Sequence, residues 1–240
     1  MKPLVCLFIV CNAFFIAAHS QELAKTGPTV KFGLKIGGNA SNVSRSIPSV
    51  SPVVGAFSGQ EKRIKTGFDG GVALRYAFSD RFFAGAEILW ATQRAGVDAT
   101  DSNVLIKTDY KFSWIQLPLG FNYIFNPQSR HKVYAGMGMS AQRLVKAKGT
   151  ITVVFPTGQT QGAFSLLDEM NRWNASGRVN VGFILSSKTR EIMTIAISAE
   201  RTLFNVHGQP GPVNPVFDFS IVQTEMRVNT LSVGTSIFIH

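Results

Sequence analysis

Along this chain, hydrophobic side chains recur at every second position in stretches of about ten residues. The stretch IQLPLGFNYIF shows it most fully: Ile115, Leu117, Leu119, Phe121, Tyr123 and Phe125 share one face, and Gln116, Pro118, Gly120 and Asn122 share the other. Period two is the repeat of an extended strand, whose side chains point alternately to opposite faces. The pattern marks residues 30–40, 66–78, 81–93, 111–125, 132–145, 175–187, 191–204 and 227–239, eight predicted strands. The connections alternate too. Links Ser79–Arg81, Asn126–His131 and Ser186–Glu191 are short and polar, whereas those after strands one, three, five and seven run from about fifteen to thirty residues. An up-and-down barrel with tight turns at one rim and long loops at the other has this order. Within the third long link, ITVVF predicts a small hairpin and SLLDEMNRW a helical turn; GQPGPVNP in the fourth excludes regular structure.

Two barrels fit eight alternating strands. A soluble calyx turns its apolar face inward, and a membrane barrel turns it toward lipid. Composition chooses between them: 16% charged residues beside 22 Gly and 19 Phe leave too little for a solvated exterior. The polar face is mostly Gly, Ala, Ser, Thr, Asn and Gln, with Lys35, Asp69, Arg75, Glu87, Arg178 and Glu200 as its charges. A charge in lipid costs roughly 2–4 kcal/mol near the midplane, so this face points inward. Three basic and three acidic side chains in an interior just wide enough for side chains predict a neutralised plug, not an ion path. The predicted fold is all-β: an eight-stranded antiparallel up-and-down transmembrane β-barrel with short periplasmic turns and long extracellular loops. Its lipid face carries Phe32, Phe68, Val72, Trp90, Leu117, Phe121, Met137, Val181, Phe183 and Ile237, and Phe78, Phe82, Tyr123 and Phe125 form an aromatic girdle beside the short turns. Pro118 predicts a bulge or local kink, relieved by a lumen side chain or water, because it cannot donate to a ladder and a closed barrel has no edge to hide it.

Following the lipid-facing phase to the outer end of each strand gives Arg94, Lys111, Arg143, Arg201 and Arg227, with Trp173 at the corresponding place on strand six. Two readings compete: side chains snorkelling at the interface, or a rim that holds lipopolysaccharide phosphates. The N-terminus explains how the chain would reach such a membrane. Lys2, the apolar run LVCLFIVCNAFFIAA and Ala18-His19-Ser20 read as a signal peptide over 1–20, followed by a short segment, 21–29, and the barrel, 30–240. Both cysteines, Cys6 and Cys11, fall in the leader, so no disulfide is expected in the mature chain. The net charge of +10 asks for anionic partners. Export argues against nucleic acid and leaves outer-membrane lipid and lipopolysaccharide.

VKFGLKIGGNASN, AGAEILWATQRAG at 84–96, WIQLPLGFNYIF and KVYAGMGMSA resemble the PorT-like outer-membrane β-barrel proteins of Gram-negative bacteria. The likeness covers about 30–240 and is architectural. It implies a small barrel of the outer membrane, in a family some of whose members assist protein secretion, and it carries no functional residue set. The ending SVGTSIFIH looks like a C-terminal signal for the barrel-assembly machinery, with His240 in place of the usual aromatic.

For chemistry, Ser198 and Glu200 share the lumen face and His207 lies in the adjoining external link, the residue types of a hydrolase set. Chance placement outweighs it. No catalytic residue, cofactor or metal site is expected, and GLKIGG lies within a strand with no helix to complete a phosphate loop. The function expected is a non-enzymatic structural or binding role in the envelope, with partners met through the loops or periplasmic turns, possible help in secretion included. The runner-up is a barrel that binds or passes a small or hydrophobic solute; a lipid A-modifying enzyme comes third.

Overall fold

The computed structural model describes residues 29–43, 59–101, 104–165, 167, 170–187, 190–204, 206 and 227–239. The expected leader, His207, Gly208–Pro215 and His240 lie outside them. Among the described residues there are nine strands: β1 Thr29–Val43, β2 Gly59–Ala77, β3 Phe82–Asp101, β4 Val104–Ile124, β5 His131–Phe155, β6 Gly158–Ser165, β7 Trp173–Ser187, β8 Arg190–Thr202 and β9 Val228–Ile239. All neighbours pair antiparallel, and β4 pairs with β5 to close the ring. Eight strands make the barrel; β6 is the extra one, pairing only with the outer half of β5. It completes the hairpin that ITVVF predicts.

The register fixes the shape. From Phe82 the pairs run Tyr123, Ala135, Val181, Ile197, Val233, Gly38 and Phe68, and return to β3 at Thr92, ten residues further out. A slide of ten residues over eight strands gives a tilt of about 40° and a backbone radius of about 8 Å. Such a cylinder encloses side chains and little else.

Alternation then sorts the side chains. Phe32, Ile36 and Met137 are 63%, 72% and 70% exposed on the outer wall, while Lys35, Asp69, Arg75 and Asn122 are buried inside. Where long side chains cross the lumen, glycine faces them: a Cβ at Gly234 would stand 3.1 Å from Lys35 Cε, and one at Gly182 only 2.6 Å from the Tyr134 hydroxyl. The aromatic girdle forms at the inner rim, with Phe82 5.4 Å from Phe121 and 5.1 Å from Tyr123, and Phe78 5.5 Å from Phe121.

The expectation for the link after the third strand changes. Strands β3 and β4 extend to Asp101 and from Val104, so the long link expected there is mostly sheet. The reason is an inversion of phase. Above the outer rim water replaces lipid, so polar residues point out (Arg94, Lys111, Lys148) and apolar ones point in (Ala95, Val97, Phe112, Ala147). The membrane barrel therefore carries a short water-exposed sheet of β2 to β6 on top, its faces exchanged. Bulges mark the way into this upper part, at Ile64/Phe68 between β2 and β3 and at Ser113/Trp114 between β4 and β5.

At Pro118 the ladder breaks on one side, as expected, but without the inserted residue of a bulge. It pairs with Ser140 of β5, and on the β3 side the ladder is interrupted opposite Leu117 and Pro118, with the same register resuming at Leu89↔Gln116. The missing N–H is absorbed by two absent pairs rather than an inserted residue.

Candidate functional site

The lumen is filled in three layers. At the inner end, the Arg75 guanidinium lies 4.5 Å from the ring centres of both Phe83 and Phe238, and its Nη2 donates to Thr194 Oγ1 at 2.6 Å. Phe83, Ile124, Tyr134 and Ile184 pack around it. Two aromatic faces give a desolvated cation an alternative to a carboxylate.

The middle layer is ionic. Lys35 Nζ donates to Glu87 Oε2 at 2.7 Å, and Arg178 Nη1 donates to the same oxygen at 3.0 Å while its Nη2 reaches Ser198 Oγ at 2.9 Å. Glu200 accepts from Ser176 Oγ at 2.6 Å and from the Gln142 amide. Asn180 donates to Asn122 at 2.9 Å, and Gln93 donates to Thr230 Oγ1 at 3.0 Å. Of the six predicted lumen charges, the structure thus joins Lys35, Glu87 and Arg178 directly and gives Glu200 neutral partners. Asp69 is buried against Gly37, and Arg75 lies near the Phe83 and Phe238 rings and bonds Thr194. A cavity of 60 Å³ bordered by Lys35, Glu87, Tyr134 and Arg178 remains, room for a few waters.

The outer layer is apolar. Phe112 and Trp114 are fully buried with Val43, Ala95, Val97, Tyr110, Leu144, Ala147 and Val228, and Met170 and Val206 close over them from the links that follow β6 and β8. Above the ionic layer, this cap fills the outer end of the lumen with apolar side chains.

The rim is the contrasting region. Arg94 and Lys111 pair in register, and Lys148 pairs with Lys111, so three cations stand in one row on β3, β4 and β5. Arg143 belongs to a lower row, Trp90–Ile115–Arg143–Trp173, with its guanidinium 5.5 Å from the Trp173 ring. Arg201 is on the far side of the barrel, paired with Gly177 and Asn229, beside a shallow 650 Å³ concavity lined by Ala40, Val179, Ala199 and Leu231. Arg227 precedes β9. The five predicted rim cations therefore do not form one cluster. Sequence reasoning missed Lys148 and Lys146, whose signal was the change of phase across the β5 bulge. It also missed the acids above the row, Asp98 and Asp109, which are engaged by Arg63 at 2.8 and 2.7 Å, with Lys65 2.6 Å from Asp109.

Of the hydrolase set, His207 lies outside the described residues, Ser198 accepts from Arg178, and Glu200 is held by Ser176 and Gln142. Among the described residues no group of three or more His, Cys, Asp or Glu is placed to hold a metal ion.

A closed barrel with an apolar outer wall, an aromatic inner girdle and a packed polar interior defines a transmembrane β-barrel of the outer membrane. The chain belongs to the outer membrane protein beta-barrel domain family, whose model matches residues 20–185. Among solved structures it is similar to Ail, the attachment invasion locus protein of Yersinia pestis, in complex with the heparin analogue sucrose octasulfate (16% identity, 88% of this chain and 99% of that one, TM-score 0.39). It is also similar to Neisserial surface protein A (14%, 88% and 99%, TM-score 0.38) and to OprG from Pseudomonas aeruginosa (15%, 87% and 96%, TM-score 0.34). No curated protein matches the chain. The protein is thus an outer-membrane β-barrel, and the outer membrane is where it resides.

Proposed function

We propose that this barrel is a non-enzymatic binding and structural protein of the envelope, with a sealed lumen and its contacts on the outer rim, the external loops and the periplasmic turns. The observation that carries the reading is the filling of the lumen in three layers, aromatic, ionic and apolar. The six lumen charges are structural in this reading: they hold the wall in register across the barrel. The rim cations face outer-membrane lipid and lipopolysaccharide. Export through a leader at 1–20 and insertion by the barrel-assembly machinery complete the route, and the PorT-like resemblance makes assistance to protein secretion one role for the loops.

Single-channel recording of the purified protein in a planar bilayer tests the sealed lumen. The expected result is no conductance above background, and steps of measurable conductance would overturn it. The solute-binding alternative rests on the concavity beside Arg201. Liposome swelling with small sugars separates the transport form of that alternative from the sealed barrel.

A further inference from the structure

The row Arg94–Lys111–Lys148 is costly as it stands. Like charges directly opposite one another on neighbouring strands destabilise a sheet, and here three stand in succession across two strand pairs. All three are exposed on the outer wall, and none has an ion-pair partner among the described residues. The acids that would neutralise them, Asp98 and Asp109, are held by Arg63 and Lys65. Lys146 adds a fourth exposed cation just below Lys148.

Height decides what the row faces. Phe82 of the inner girdle and Arg94 are twelve residues apart on β3, about 30 Å along the membrane normal at the tilt given above. A hydrocarbon band of about 25 Å therefore ends roughly 5 Å below Arg94. Because the register slides outward around the barrel, Lys111 stands about 3 Å higher and Lys148 about 3 Å higher again. Below the row, the same faces of β3, β4 and β5 present Trp90, Ile115, Leu117 and Met139 to lipid. The anion on this row is thus joined to acyl chains on that wall. A head group layer of about 5–7 Å suits one phosphate level; cations climbing from about 5 to 11 Å above the hydrocarbon suit several anions on a sugar.

We infer, building on the rim reading above, that the Arg94–Lys111–Lys148 row is the seat of a phosphorylated sugar head group belonging to an outer-leaflet glycolipid of the lipopolysaccharide type. The site belongs to one side of the barrel, and Arg201 on the opposite wall is outside it.

The test is titration of the full-length mature protein in zwitterionic micelles, followed by tryptophan fluorescence, with lipopolysaccharide, with the same material after enzymatic dephosphorylation, and with a soluble sulfated polysaccharide. The wild type should prefer the phosphorylated glycolipid. R94Q/K111Q/K148Q should raise its Kd about a hundredfold, K111Q alone about fivefold, and R201Q less than about twofold. K111Q keeps the test decisive if the triple variant fails to fold. No preference of the wild type for phosphorylated over dephosphorylated glycolipid would overturn both the rim reading and the row. A preference that the row variants retain, or that R201Q loses instead, would overturn the row alone. Displacement of the glycolipid by the sulfated polysaccharide at equal charge would also overturn it, in favour of a soluble polyanion.

Discussion

The lumen and the outer rim use the same two kinds of cation, lysine and arginine, in opposite ways. Inside, Lys35 and Arg178 converge on one Glu87 oxygen, and Arg75 lies between two rings. Outside, Arg94, Lys111 and Lys148 line up with no acid between them. The difference follows from the surroundings. A cation enclosed in a narrow barrel must be satisfied by the protein itself, because an unpaired buried charge costs several kcal/mol. At the membrane surface, water screens the repulsion and anionic head groups can relieve it. Pairing within the chain therefore reads as structure, and its absence along this one row as an opening for a partner.

The largest effects should come from the lumen. Phe112→Ala removes a fully buried ring from the outer cap and should cost about 3–5 kcal/mol, read as a fall in the urea midpoint of unfolding in micelles. A change within 0.5 kcal/mol would mean that the cap is not a packed layer. Glu87→Gln leaves Lys35 and Arg178 facing each other without their shared carboxylate and should cost about 3 kcal/mol. Pairing it with Lys35→Met should recover part of that loss, because the second change removes one of the stranded cations. Additive costs in the double variant would dissolve the ionic layer into independent contacts. Gly182→Val sets a side chain against Tyr134 and the Ile195 carbonyl, both 2.6 Å from where its Cβ would lie. About 1–3 kcal/mol is expected from such overpacking, and a well-tolerated valine would show that the lumen is looser than its contacts imply.

The same contrast explains what the sequence could and could not tell. Within the membrane band, lipid and lumen impose opposite chemistries on alternate residues, so strands such as 30–40 and 175–187 and the inward face of Lys35, Glu87 and Arg178 are legible from period two alone. Above the rim the outer solvent becomes water and the phase inverts. A reading that keeps one phase stops β3 near Gln93 and starts β4 near Lys111, missing the extension through Asp101 and Val104. The β5 bulge hides Lys146 and Lys148 for a related reason: one extra residue moves later side chains to the other face. Which charges meet was also beyond the pattern. Alternation places Asp69, Arg75 and Glu200 in the lumen, but only the ten-residue slide of the register decides that Glu87 of β3 faces Lys35 of β1 and Arg178 of β7 across it.

The smallest expected effect sharpens the comparison most. In detergent without glycolipid, Lys111 has a cation opposite it on each neighbouring strand, Arg94 and Lys148. Lys111→Gln removes both repulsions and gives up no ion pair among the described residues. Exposed interactions of this kind are worth a few tenths of a kcal/mol. The variant should therefore be as stable as the wild type or slightly more stable, by no more than about 0.5 kcal/mol, and the difference should shrink as salt screens the charges. Urea unfolding at low and at high ionic strength, on protein freed of glycolipid, measures both signs. A clear loss of stability at low salt would mean that Lys111 has a structural partner and belongs with the lumen charges. A gain that vanishes at high salt would identify a side chain kept at a cost to the fold, for a contact made outside it.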